Sequence, residues 1–172
     1  MRKMSNRITR EEMFKEMVQT ISKRSTCLRS KVAAIIEKDG RVISIGYNGP
    51  ASGMPECTPE SEYVRIGWAD PTDNMCMGPD CTRSIHAEAN AIAFAAKAGI
   101  SVEGTTLYCS MSPCINCAKL IINSGIRKVI YLEEYRDKAG IELLNRAGIE
   151  TLWSPPKSAL LTNGQHETDK NR

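Results

Sequence analysis

Near the start of the chain, apolar residues recur every three to four positions, the spacing of a helix with one buried face. Thr9 and Glu12 form a capping box that starts this helix, and we predict that it ends at 23–25. Two runs typical of β-strands follow at 32–37 and 41–46, and the Asp-Gly turn between them predicts a hairpin. The apolar stripe of the helix contains Met13, Phe14, Met17, Val18 and Ile21.

Helix and strand patterns alternate from residue 87 onward. Helices are predicted at 87–98, 114–124 and 138–147, and strands at 105–109, 128–132 and 151–153. Each of the three helices is followed by Gly-Ile, and glycine in the left-handed conformation followed by an apolar residue is a common helix end. This alternation indicates an α/β domain whose sheet is partly parallel.

Residues 47–83 interrupt the regular pattern. This stretch is rich in proline and glycine, contains three cysteines and has no helical period. A loop of this length inside a compact domain is functional or disordered, and the cysteines favour an ordered, functional loop. We therefore predict one domain over 1–153 with a loop insertion at about 47–83, followed by a flexible polar tail over 154–172.

Composition narrows the class of protein without naming a function. The net charge of +3 and the aromatic content of 5% are too low for the basic, stacking groove of a nucleic-acid editor. No apolar run approaches the roughly 20 residues that cross a bilayer, and the basic N-terminus leads into a polar helix rather than a signal core. We expect a soluble cytoplasmic protein whose seven cysteines are thiols or metal ligands rather than disulfides.

Two short motifs carry candidate metal chemistry, and each opens a predicted helix. His86-Ala87-Glu88 begins one helix, and Cys114 and Cys117, preceded by Pro113, begin the next. Thiols on one face of a helix N-terminus become thiolates readily, as zinc requires. With His86 they supply three ligands and leave the fourth tetrahedral position open, which distinguishes a catalytic zinc site from a closed structural one.

Glu88 is the candidate general acid and base. Residues two apart on a helix reach one site only in its first turn, where His86 can bind zinc while Glu88 faces the water beside it. Taken singly, the motifs have plainer explanations. Cys-x-x-Cys also suits a redox pair or a zinc knuckle, and a histidine with a glutamate also suits the helix dipole and solvent. The combination, in this order, indicates the catalytic site.

His-x-Glu with Pro-Cys-x-x-Cys is the signature of zinc deaminases. Within that superfamily the segments 82–92, 112–119 and 46–50 with Gly53 resemble the deoxycytidylate (dCMP) deaminases. The resemblance implies a three-layer α/β/α sandwich around a five-stranded mixed sheet, and hydrolysis of dCMP to dUMP and ammonia. It also implies a hexamer activated by magnesium–dCTP and inhibited by dTTP. Glu88 then moves protons from water to ring N3 and to the departing ammonia, and the backbone amide of Ala87 donates to the pyrimidine.

The same resemblance implies further contacts with nucleotides. Arg29, Asn48 and Tyr135 match positions that contact sugar or phosphate in the family, and a guanidinium can bind phosphate oxygens in pairs. Phe94 and Lys97 fall at positions of the regulatory site. Plainer alternatives are a solvated surface arginine at 29, an interface or core tyrosine at 135, and a core residue of an alanine-rich helix at 94.

The resemblance also suggests a second, structural zinc site formed by four other cysteines, Cys27, Cys57, Cys76 and Cys81. Some phage members of the family use the positions of Cys27 and Cys57 for such a site. The alternative is a set of unliganded thiols, since the first two are too far apart for a local zinc knuckle. Asp80 stands where some members carry a histidine near the phosphate, and its carboxylate repels phosphate unless it turns away or binds a cation. Cys109 is expected to be a buried strand thiol.

Two other functions stay open at this point. One is a deaminase of a nucleoside, a base, or cytosine or adenine in nucleic acid; the other is a non-catalytic zinc-binding module. Cytidine deaminases usually carry cysteine at the position of His86, and transfer-RNA adenosine deaminases typically have a shorter loop before it. Glu88 argues against the module, because a structural zinc site has no use for a carboxylate beside an open metal position.

Overall fold

The computed structural model describes residues 7–57 and 83–156. Every element predicted from the sequence is present, with ends that differ by one or two residues. The capping box is formed as predicted, with the amide of Glu12 3.1 Å from Oγ1 of Thr9. The elements are α1 (Arg10–Ser22), β1 (Ala33–Lys38), β2 (Arg41–Tyr47), α2 (Ala87–Lys97), β3 (Thr106–Met111), α3 (Ile115–Asn123), β4 (Lys128–Glu133), α4 (Ala139–Arg146) and β5 (Glu150–Trp153).

The five strands form one mixed sheet in the order β2-β1-β3-β4-β5. β1 is antiparallel to both β2 and β3, whereas β3, β4 and β5 are parallel, with α3 and α4 as the crossovers. Ala34 lies opposite Cys109, and Cys109 lies opposite Tyr131 across the three central strands. The predicted five-stranded mixed sheet is therefore confirmed.

Helices cover both faces of the sheet. β1 is buried on both sides, so that Ala33 and Ile35 face one core while Ala34 and Ile36 face the other. On the first face, Phe14 of α1 packs on Tyr108 with ring centroids 5.1 Å apart. The second face is covered by α2, α3 and α4, whose buried residues include Ala87, Ala91, Ala95, Ala118, Ile121 and Leu144. These three layers are the predicted α/β/α sandwich.

The three predicted glycine helix ends are also present. Gly99, Gly125 and Gly148 have φ angles of 68°, 81° and 77°, the left-handed region in which glycine avoids the steric cost of a β-carbon. Within the two described stretches, none of the helices has the length and apolar character needed to span a bilayer.

The topology determines where a site can form. β3 and β4 are parallel neighbours, so the segments that follow them leave the same edge of the sheet. Clefts at the carboxyl ends of strands are the usual binding sites of α/β sheets. α3 begins four residues after β3 ends, and α2 begins just after Ile85, which pairs with Gly49 beyond the end of β2.

Candidate active site

Two helix N-termini bring the predicted metal motifs together. His86 is the N-cap residue of α2 and Cys114 is the N-cap residue of α3, both with extended backbone angles. Neither side chain caps its own helix, so both can point into the space between the helices. Glu88 and Cys117 lie in the first turns that follow and are 4% and 2% exposed. The extended backbone of His86 is the reason that residues two apart reach one site.

The three candidate ligands are close enough to share one ion. The Sγ atoms of Cys114 and Cys117 are each 3.4 Å from Nδ1 of His86. All three donor atoms lie within 4.8 Å of one another, and among the described residues this is the one such cluster of three or more. One imidazole nitrogen and two sulfurs are donor types that zinc prefers, so the residues present fit a zinc ion.

The protons in this cluster are unevenly distributed. A hydrogen bond from the Cys117 thiol, with help from His86, holds the pKa of Cys114 well below its ordinary value. The pKa of Cys117 is raised because its proton stabilises the neighbouring thiolate. The hydrogen bond with Cys114 likewise raises the pKa of His86. The cluster therefore carries a thiolate at neutral pH, and a thiolate is the form of cysteine that binds metals.

Glu88 is a buried carboxyl group beside the cluster. Burial raises its pKa, whereas hydrogen bonds from its own backbone amide and from Cys117, with the nearby His86, act in the opposite direction. A carboxyl group whose pKa is shifted toward neutrality can both take and give a proton near pH 7. The structure thus places a group with acid–base capacity against the three donor atoms.

A cavity of about 290 Å³ opens onto this cluster. His86, Glu88 and Cys114 line it at the metal site, together with Ala87. The three residues predicted to contact nucleotide also line it. Arg29 is exposed, Tyr135 is half-buried and Asn48 is buried. Further lining residues are Cys27, Ser30, Val32, Ser84, Met111, Ser112, Glu134 and Arg136.

Asn48 is engaged with the protein at both ends of its amide group. Its Oδ1 accepts from the amide of Val32 at 2.8 Å, and its Nδ2 donates to the carbonyl oxygen of Ser30 at 2.8 Å. The hydroxyl of Ser25 donates to the Asn48 carbonyl at 2.8 Å. Asn48 therefore holds in place the segment that follows Arg29, in addition to lining the cavity.

Three of the lining residues that were not predicted from the sequence follow two adjacent strands. Ser112 follows β3, whereas Glu134 and Arg136 follow β4. The guanidinium of Arg136 lies 5.8 Å from the centroid of the Tyr135 ring. The available signal was their position after two adjacent predicted strands, because the carboxyl ends of parallel strands share one edge of the sheet.

The other candidates lie away from the metal cluster or outside the described residues. Phe94 is 53% exposed, which contradicts the alternative of a core residue, and Lys97 is exposed at the end of the same helix. Cys27 and Cys57 are buried and form no disulfide with another described residue, and Cys109 is a buried strand thiol as predicted. Cys76, Cys81 and Asp80 lie outside the described residues.

Comparisons with known proteins agree with this geometry. The family model of the cytidine and deoxycytidylate deaminase zinc-binding region matches residues 8–133. The deoxycytidylate deaminase of Enterobacteria phage T4 is 38% identical over 174 aligned positions, covering 83% of this chain and 89% of the phage protein. The match with ComE operon protein 2 of Bacillus subtilis (strain 168) has 36% identity and covers 83% of this chain and 70% of the Bacillus protein.

Solved structures lead to the same family. The crystal structure of the dCMP deaminase from cyanophage S-TIM5, in complex with dCMP and dUMP, has a TM-score of 0.69 and 32% sequence identity. The match covers 84% of this chain and 96% of the cyanophage chain. Because the family model matches most of the chain and includes both the metal cluster and Glu88, this chain belongs to the cytidine and deoxycytidylate deaminase family.

Proposed function

We propose that this chain is a zinc-dependent hydrolase that deaminates dCMP to dUMP and ammonia. The observation that carries the proposal is one cavity beside a cluster of three zinc-type donors, lined by two of them, by a buried carboxyl group and by two arginines. The S-TIM5 relative was crystallised with dCMP and dUMP, and the T4 relative is named a deoxycytidylate deaminase, which supports the choice of substrate.

His86, Cys114 and Cys117 hold the zinc ion in this proposal. Zinc, when bound, acts as a Lewis acid that makes water a nucleophile at neutral pH. The protein prepares the site by placing the thiols at the N-terminus of α3, where the helix dipole favours negative charge. The thiolate at Cys114 is already favoured by its hydrogen bonds, so metal binding removes a thiol proton chiefly from Cys117, whose pKa is raised.

Glu88 moves the protons of the reaction. It takes one proton from the attacking water and delivers it to N3 of the pyrimidine. It then takes the second proton from the hydroxyl group added at C4 and delivers it to the amino group, which leaves as ammonia while C4 becomes a carbonyl. Its burial favours the protonated carboxyl needed for the two delivery steps. The amide of Ala87, at the first position of α2, is not used by the helix and can donate to the pyrimidine ring.

Arg29 and Arg136 bind the 5′-phosphate in this proposal. Both line the cavity, and guanidinium groups bind phosphate oxygens through paired hydrogen bonds. Glu134 also lines the cavity and is 3.4 Å from the ammonium group of Lys138, which offsets its negative charge. Tyr135 stacks beneath Arg136 and Asn48 holds the segment after Arg29, so both contribute to the orientation of the phosphate end.

We extend the proposal to the features that the resemblance implies beyond catalysis. These are a single domain over 1–153, cytoplasmic location, a hexameric assembly, activation by magnesium–dCTP and inhibition by dTTP. The tail predicted over 154–172 lies outside the described residues from position 157 onward. The exposed Phe94 and Lys97 on α2 are available to such an effector or to a neighbouring subunit. The second, structural zinc is proposed for Cys27 and Cys57 with Cys76 and Cys81.

The proposal is tested by ammonia release and product identification on purified, zinc-loaded protein. The substrates are dCMP, CMP, deoxycytidine and cytidine, each with and without magnesium–dCTP. We expect dUMP from dCMP at the highest kcat/KM, and a higher rate with dCTP. Zinc bound without turnover of any substrate would refute the proposed activity. Metal analysis of the same sample separates one zinc per chain from two and so decides the second site independently.

A further inference from the structure

Ser112 joins two segments: the metal turn (112–114), which ends at Cys114, and the loop 134–138, which carries Tyr135 and Arg136. Its amide donates to the carbonyl oxygen of Glu133 at 2.8 Å, which extends the pairing of β3 with β4. Its Oγ accepts a hydrogen bond from the amide of Tyr135 at 2.7 Å. Ser112 is 6% exposed and lies two residues before Cys114. The first residues of the loop are therefore held against the metal turn by one side chain.

The loop is held again where it enters α4. A β-carbon on Gly140 would lie 2.0 Å from the carbonyl oxygen of Pro113 and 2.7 Å from the carbonyl carbon of Cys114. α4 therefore touches the backbone of the metal turn directly, a close approach that only glycine permits. Residues 134–136 lie in the segment between Glu133, which accepts from the Ser112 amide, and Gly140. They cannot shift relative to Cys114 unless one of these contacts changes.

We propose that Ser112 is a positioning residue that sets the phosphate end of the cavity relative to the metal end, and so determines the preference for a nucleotide over a nucleoside. The inference rests on the proposed function. Ser112 acts through the amide of Tyr135, whose side chain and neighbour Arg136 line the cavity. The phosphate of a substrate whose ring lies at the metal end reaches Arg136 only when this spacing is correct.

Loss of the hydroxyl has an effect that differs from simple destabilisation. In Ser112→Ala the buried amide of Tyr135 loses its acceptor, and the start of the loop is released. The backbone bond to Glu133 and the Gly140 contact remain, so the metal ligands keep their places. The substitution therefore weakens binding of the substrate's phosphate and leaves the deamination step at the pyrimidine ring unchanged.

The test compares Ser112→Ala with Ser110→Ala and Ser112→Thr in the zinc-loaded protein. Ser110 is the matched control, because it lies two residues earlier, on β3, and its Oγ also accepts a backbone amide, that of Ala33 at 3.0 Å. We expect Ser112→Ala to raise the KM for dCMP about tenfold, equivalent to about 1.4 kcal/mol, with kcat within about twofold. Its kcat/KM for deoxycytidine should stay within about twofold of the parent value. Ser112→Thr keeps the hydroxyl and should restore the KM.

Two further measurements complete the design. Zinc content per chain should equal that of the parent protein in all three variants, and the affinity for dUMP should fall in Ser112→Ala while that for deoxyuridine does not. Equal losses on dCMP and deoxycytidine, or a Ser112→Ala profile that matches Ser110→Ala, would overturn the inference. Absence of dCMP turnover in the parent protein would instead refute the proposed function, so the two failures are distinguishable.

Discussion

A β-carbon on Gly46 would lie 2.2 Å from the carbonyl oxygen of Ala87. The backbone of β2 therefore touches the first turn of α2, the turn that carries Glu88. Two hydrogen bonds accompany this contact: the Ser44 hydroxyl donates to the Ala91 carbonyl at 2.6 Å, and Asn90 Nδ2 donates to the Tyr47 carbonyl at 2.8 Å. The edge strand β2 thus determines how closely the first turns of α2 pack against the sheet.

Gly46→Ala should therefore disturb the metal site from outside it. The added methyl group has no space and must push α2 away, at a cost of roughly 1–3 kcal/mol in the free energy of unfolding. Because His86 moves with α2, zinc affinity should fall at least about tenfold, which is about 1.4 kcal/mol of binding free energy. Competition with a chromogenic chelator measures the affinity, and urea unfolding measures the stability.

Gly49→Ala is the matched control for this substitution. A β-carbon at Gly49 meets nothing within 4 Å, and Gly49 is not among the glycines with positive φ. Its zinc affinity and stability should stay close to those of the parent protein. A Gly46→Ala protein with the parent's zinc affinity would show that β2 does not set the position of His86.

Glu88→Gln should separate catalysis from metal binding. Glutamine fits the same space but cannot accept and return a proton, so kcat on dCMP should fall about 100- to 10,000-fold. Zinc content and the far-ultraviolet circular dichroism spectrum should not change, because Glu88 is not one of the three donors of the metal cluster. Loss of zinc together with activity would indicate that Glu88 maintains the metal site rather than moving protons.

Asn48→Asp should weaken the segment that follows Arg29. The carboxylate still accepts from the amide of Val32 but cannot donate to the carbonyl oxygen of Ser30, which then faces a like charge. We expect a loss of about 1–3 kcal/mol in the free energy of unfolding and a higher KM for dCMP. Asn145→Asp is the control, since the exposed Asn145 uses only its oxygen, as acceptor from Thr151. Equal urea midpoints for the two variants would contradict the assignment.

The elements and the metal cluster were predictable from local pattern. Helical periodicity, the capping box at Thr9 and the Gly-Ile helix ends are signals contained within a few residues, and the helices and strands follow them closely. The metal motifs are also local, because each opens a helix. That the two motifs lie together in space could be expected only from the resemblance to the family, because neither motif specifies how α2 and α3 pack against each other.

The rest of the cavity depends on contacts between distant segments. Ser112 and Arg136 belong to it because β3 and β4 are adjacent and parallel, which no short window of sequence reports. Gly46 and Gly140 are ordinary glycines in the sequence, and their importance appears only when a β-carbon is placed against the neighbouring backbone. Phe94 has an apolar side chain on an alanine-rich helix, yet none of the described residues covers it fully, and it is 53% exposed.

Tyr108 provides a prediction about stability at high pH. Its ring is 6% exposed and packs on Phe14. Burial, reinforced by the negative charges of Glu37 and Glu11, raises its pKa to about 12. The unfolded chain releases this proton near pH 10, whereas the folded chain retains it until about 12. Between these values the folded state binds more protons, so the free energy of unfolding must fall as pH rises.

Tyr108→Phe removes this titration and keeps the packing of the ring. The variant and the parent protein should therefore diverge above pH 10, with the parent losing up to about 1.4 kcal/mol more per pH unit until pH 12. Below pH 10 the difference between them should not depend on pH. Urea unfolding at successive pH values tests this, and the absorbance at 295 nm of the parent minus the variant reports the phenol directly. A phenolate signal near pH 10 in folded protein would show that water reaches the hydroxyl, because only hydration of the charged form returns the pKa to its ordinary value.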